Sequence, residues 1–130
     1  MHRSLMFGVA FAAAVSLTAP ALAGAGDYVF EPVQAEVKKG DDVRVAVRLV
    51  HKPTRKPVTD AVIVRTRIDM GPDGMAEMAS PLTALPSPEP GVYAFKTELS
   101  MAGRWLLTIQ AKVQGEPETV TGKVTFKVAR

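Results

Sequence analysis

The sequence predicts an all-β protein, an immunoglobulin-like β-sandwich of about seven strands that follows an N-terminal signal peptide. Three observations carry that expectation. Apolar and polar residues alternate with a period of two through most of the chain beyond its first segment. Clusters of proline and glycine interrupt those alternating runs at short intervals. No run keeps the helical period for three turns. Seven short strands with frequent turns are the pattern of an immunoglobulin-like sandwich.

The opening segment reads MHRSLMFGVAFAAAVSLTAPALA. His2 and Arg3 make a short basic start, and Leu5 to Ala19 is an apolar run of about 15 residues, short for a membrane span, which needs roughly 20. Ala21-Leu22-Ala23 supplies the small-x-small pattern of a cleavage site. Cleavage after Ala23 is expected, with Ala25 as the second choice and an uncleaved anchor as the alternative. Residues 1–23 are then the signal peptide and residues 24–130 the sandwich domain. The mature chain, about 107 residues, is long enough for one small domain with its own core.

The strands follow in order. An opening strand lies near Tyr28–Val37. Val43, Val45, Val47 and Leu49 alternate with Arg44, Ala46 and Arg48. Val62, Val64, Thr66 and Ile68 alternate with Ile63, Arg65 and Arg67. A weak strand lies near Ser80–Leu85. Tyr93, Phe95, Thr97 and Leu99 face away from Lys96 and Glu98. Trp105, Leu107, Ile109, Ala111 and Val113 alternate with Thr108, Gln110 and Lys112, and Val120, Val124, Phe126 and Val128 with Thr121, Lys123, Thr125 and Lys127. Lys39-Gly40-Asp41, His51-Lys52-Pro53-Thr54, Pro86 to Gly91 and Gly115-Glu116-Pro117 are the turns between them. Tyr93, entering its strand after Pro90-Gly91-Val92, is expected to anchor the fold with its ring inward.

If each strand crosses the sandwich once, alternate loops share an end. The loops near Gly40, Met70–Met78 and Ser100–Gly103 then occupy one end, and His51 the other. Four methionines remain in the mature chain: Met70, Met75, Met78 and Met101. All four are expected in loops of that first end, with Met75 largely exposed. Gly71-Pro72-Asp73-Gly74 fits a type I turn, which brings Met70 and Met75 together. Thioethers are soft, neutral ligands suited to Cu(I) and, by the same softness, Ag(I). Trp105, just beyond Met101, offers a ring to cover a monovalent cation, although its inward parity matches a core residue. A hydrophobic cap closing the end of the sandwich explains the same four methionines equally well.

Other chemistries find less support. Charges are scattered and the mature net charge is only about +2, which argues against nucleic-acid binding. Cysteine is absent, so no disulfide or thiolate contributes. Asp69 to Gly74 has some features of a calcium loop, but a third early oxygen is missing and position twelve is Ser80. His51 sits in a basic turn as a solvated residue. Asp60, Asp69 and Glu77 read as turn and surface acids, and no nucleophile and base can be paired, so an enzyme is not expected. Arg44, Arg48, Arg65 and Arg67 are expected on the outer faces of adjacent strands.

The runs DYVFEPVQAEVKKGDDVRVAVRLVHKPTRKPVTDAVI, DMGPDGMAEM, PEPGVYAF and SMAGRWLLTIQAKVQGE resemble the YtkA-like/FixH-like domain family over nearly the whole mature chain. Pro90-Gly91-Val92-Tyr93 and Met101-Ala102-Gly103-Arg104-Trp105-Leu106 are the most specific parts. The resemblance implies a β-sandwich outside the cytoplasmic membrane, in the setting of copper and silver efflux. FixH proteins carry a membrane anchor, whereas this chain carries a cleavable-type signal. The expectation is therefore a periplasmic accessory that holds Cu(I) or Ag(I) by Met70, Met75, Met78 and Met101 and passes it to an efflux complex. It would meet the membrane only through that partner. The alternative is an interaction module of a membrane complex for efflux or oxidase assembly, with the methionines as an apolar docking patch.

Overall fold

Ten strands pair into two sheets: β1 (Tyr28–Pro32), β2 (Glu36–Lys38), β3 (Gly40–His51), β4 (Lys56–Pro57), β5 (Val62–Met70), β6 (Met75–Ser80), β7 (Leu82–Leu85), β8 (Val92–Leu99), β9 (Gly103–Lys112) and β10 (Val120–Ala129). The computed structural model describes residues 24–130, and the signal peptide expected at 1–23 lies outside the described residues. The first sheet has the order β1-β3-β8-β7, with β4 paired to the end of β3. The second has the order β2-β10-β9-β5-β6. Among the described residues, only β2 and β10 run parallel. This division of a seven-pass chain between two sheets is that of an immunoglobulin-like sandwich, whose two sheets hold strands A, B, E, D and G, F, C.

Ten strands and seven passes are compatible because two passes change sheet midway. The first pass pairs with β3 as β1, then crosses after Pro32 to join β10 as β2. The pass after the methionine turn pairs with β5 as β6, crosses at Pro81, and continues beside β8 as β7. Proline suits both crossings, since it has no N–H to give to a ladder. Thr97, buried on the inner face of β8, donates its hydroxyl to Pro81 O (2.8 Å), so the crossing is also tied to the core.

The core is the inward set of the alternating strands. Val45, Val47, Leu49, Ile68, Leu107, Ile109 and Phe126 are fully enclosed, as is Trp105. The Phe30 ring fills the space above Gly122, where a Cβ would collide with it. Tyr93 serves as the expected anchor: its hydroxyl donates to Val58 O (2.8 Å) and accepts from Ala61 N (3.1 Å). It thereby holds the β4–β5 connection against the sandwich.

Two expectations are corrected. Arg44 and Arg48 lie on β3 of the first sheet and Arg65 and Arg67 on β5 of the second, so the four arginines do not share neighbouring strands. Val62 and Val64 also leave the inward set. The pairing of β5 with β9 slips between Ile63 and Arg65, a β-bulge with Val64 as the extra residue. A bulge inverts the alternation on one side of itself. Ile63 turns inward, and Val62 and Val64 are left exposed.

Candidate functional site

The methionine end is built on a clamped turn. β5 ends at Met70, and Gly71–Asp73 forms one tight helical turn with Pro72 inside it. Gly74 follows in the left-handed conformation (φ 77°) and donates its N–H to Gly71 O (2.9 Å). The expected four-residue turn is thus present, and it sets Met75 opposite Met70. The next pairing along is Asp69 with Ala79, so residues 76–78 bulge from the start of β6.

Two arginine–aspartate pairs hold this turn. The Asp69 carboxylate is buried and accepts from Arg67 Nε and from Gly71 N, each at 2.8 Å. The same guanidinium donates to Ala76 O (2.8 Å), bracing the bulge. On the other side, Asp73 accepts from the Arg104 backbone N–H and from Arg104 Nε, both at 2.8 Å, while Arg104 donates to Pro72 O (2.7 Å). The Arg104 backbone hydrogen bond, reinforced by its side chain, holds the Asp73 carboxyl below the usual carboxylate range.

Gly103 lets the two loops close. A Cβ there would lie 2.5 Å from Asp73 Oδ2 and 2.6 Å from the Met70 methyl carbon, and φ is 143°. The Trp105 indole N–H donates to Met101 O (3.0 Å) and fixes the far side of the same loop.

The four sequence-predicted ligands therefore meet at one end, but in different environments. Met70 is corrected from a loop residue to a core residue: it ends a strand, is 1% exposed and packs with the central cluster. Met75 is not largely exposed either. Met75 and Met78 lie on β6, are half-buried and rest against that cluster. Met101 is exposed, at 39%. The Trp105 ring belongs to the core and is enclosed, so it is not placed to cover an ion at the surface. His51 lies at the opposite end, with Nδ1 2.8 Å from Thr54 Oγ1 and its ring stacked at a tilt on Tyr28.

The sequence reading missed the two clamps, taking Asp69 for a turn or surface acid. Its signal was the spacing Arg67-x-Asp69, with Asp73 inside the turn and Arg104 after a glycine. Among the described residues, no group of three or more His, Asp or Glu is arranged to hold a metal ion. What this end offers chemically is thioether sulfur.

Comparison with known proteins gives the following. The filamin domain of Lin-41 superposes with a TM-score of 0.46 at 16% identity, over 83% of this chain and 95% of that one. The third ScaB cohesin of R. flavefaciens, in complex with a group 1 dockerin, gives 0.47 at 16% identity, over 80% and 96%. The ZirS C-terminal domain gives 0.42 at 10% identity, over 98% and 84%. No curated protein matches the sequence. A family profile described as YtkA-like matches residues 22–110, from the end of the expected signal through most of β9. The chain belongs to the YtkA-like family.

Proposed function

We propose that this domain is an exported, non-catalytic metal-handling accessory that carries Cu(I) or Ag(I) as cargo on Met75, Met78 and Met101. Its setting is the periplasm, and it serves a heavy-metal efflux complex. The observation that supports this reading is that Met75 and Met78, half-buried on β6, and Met101, exposed in the loop before β9, share the end where Arg104 clamps the Asp73 turn. Soft neutral sulfur favours a soft monovalent ion. Without thiolate the site is exchangeable, as a carrier requires. Met70 lies beneath the site as a core residue rather than a ligand.

The test is titration with Ag(I) while the four methionine methyl signals are followed by NMR. Met75, Met78 and Met101 should shift together up to one equivalent, with Met70 little changed. Methyl signals that stay in place at stoichiometric silver would sink the carrier. A second reading, a non-metal interaction module with the methionines as an apolar docking patch, is supported by the exposure of Met101 beside the half-buried Met75 and Met78. Unmoved methyls are its expected result. The exported location is checked by N-terminal sequencing of the cell-fractionated protein, which should begin at Gly24.

A further inference from the structure

The first half of β5 is an open sheet edge. β6 pairs only with Ile68, Asp69 and Met70, so Val62 to Arg67 are bonded on one side, to β9, and free on the other. Across the mouth of the sandwich, β7 is the edge of the first sheet. Between the two edges runs a seam with hollows of about 230 and about 470 Å³, which share Arg65, Thr66 and Leu82. Phe95 of the core and Ile63 packed against it are among its lining residues, so the seam reaches the core. Val64 (48% exposed) lines it, and Val62 (62%) precedes it on the same edge strand. Exposed edges of this kind are normally blunted by charge or covered. Here the bulge turns two valines outward instead.

We propose that this edge and seam receive an extended segment of a partner protein in which apolar residues alternate with acidic ones. An added strand satisfies the free N–H and C=O groups of Val62–Arg67, and its alternate side chains enter the seam. The remaining side chains point outward, beside Arg65, whose ladder partner Gln110 lies on the outer face. Arg65 belongs to no ion pair among the described residues. A carboxylate on the incoming strand completes it. A second copy of this chain is disfavoured by the same charge, because two-fold pairing of β5 edges about Arg65 sets it against its own kind. Six free edge residues define a footprint of about 20 Å at ~3.3 Å per residue. The inference is independent of metal at the methionine end.

The experiment uses the mature domain and two synthetic peptides, Val-Glu-Val-Thr-Val-Glu-Val-Thr and its Lys-for-Glu counterpart, followed by amide NMR and hydrogen exchange. The acidic peptide should shift the Val62–Arg67 amides and slow exchange of the alternate ones whose N–H faces away from β9, and the basic one should not. Arg65→Glu, at an exposed position, should weaken the acidic peptide at least about tenfold and improve the basic one. Val62→Glu should weaken the acidic peptide without altering the melt. Three results overturn the proposal. They are no shift with either peptide at about 1 mM, shifts centred away from β5, and β5 amides already protected by self-association in sedimentation.

Discussion

At the residue scale, Met70 and Met101 share an end of the molecule and differ in everything else. Met70 is enclosed, so Met70→Ala should cost roughly 2–5 kcal/mol. Met101→Ala, at a partly solvated loop, should cost under about 1 kcal/mol. Equal shifts in urea midpoints would mean that Met101 is also core. Gly103→Ala combines a left-handed-side φ with collisions against Asp73 and Met70. Each effect costs on the order of 1–3 kcal/mol, so a loss of about 2 kcal/mol or more is expected. Trp105 is the only tryptophan and is fully buried, so its emission reports all three melts.

At the scale of elements, the methionine turn and the β4–β5 connection depend on a few hydrogen bonds. Asp73 has a depressed folded pKa, so the Arg104 clamp contributes above the ordinary carboxylate value near ~3.9 and is lost as pH falls through the lowered one. Asp73→Asn should therefore lower stability near neutral pH, change little in strong acid where the clamp is already lost, and so flatten the acid limb of the stability curve. Acid melts of the two proteins that run parallel would refute the clamp. Tyr28 shows the opposite sign. Partial burial, then its hydrogen bond to Glu116 (2.7 Å), pushes its phenol up to about 12. The unfolded phenol ionises near ~10, so stability is kept below that value and lost as pH rises toward 12. Tyr28→Phe should remove that alkaline loss in melts at stepped pH. Tyr93→Phe leaves Val58 O and Ala61 N without a partner, and a cost of about 1–3 kcal/mol is expected.

For the whole molecule, the two ends of the sandwich separate chemistries that would otherwise mix. His51 is at the end remote from the methionines, so it has no part in a thioether site. A thioether has no proton to lose, whereas histidine and carboxylate ligands must release one before binding. Silver affinity should therefore stay nearly constant between about pH 7.5 and pH 5.5, across the ordinary histidine pKa of ~6.5. A tenfold loss over that interval in calorimetric titrations would reject an all-thioether site. Met75→Leu with Met101→Leu should abolish silver binding and leave the melt almost unchanged, because leucine keeps the apolar volume and removes only sulfur.

The period-two pattern by itself determined the two-sheet class, the seven passes and the inward faces of β3, β8, β9 and β10, because alternation reports directly which side of a strand is buried. It also determined that Met70, Met75 and Met101 share an end, since that follows from the number of crossings. The turn at Gly71–Gly74 was equally legible, being local chemistry of proline and glycine. Other features were decided only in three dimensions. Met70 became core because the loop carrying Gly103 packs over the end of β5, a contact between residues more than thirty apart in sequence. Asp73 became a clamp because the β5–β9 ladder brought Arg104 beside it, whereas Arg67 reaches Asp69 along β5 itself. Val62 and Val64 turned outward because one residue bulged from that ladder, and a bulge reverses the faces of a strand without marking its sequence. Periodicity encodes burial within a strand, but register between strands is set by packing of the whole core.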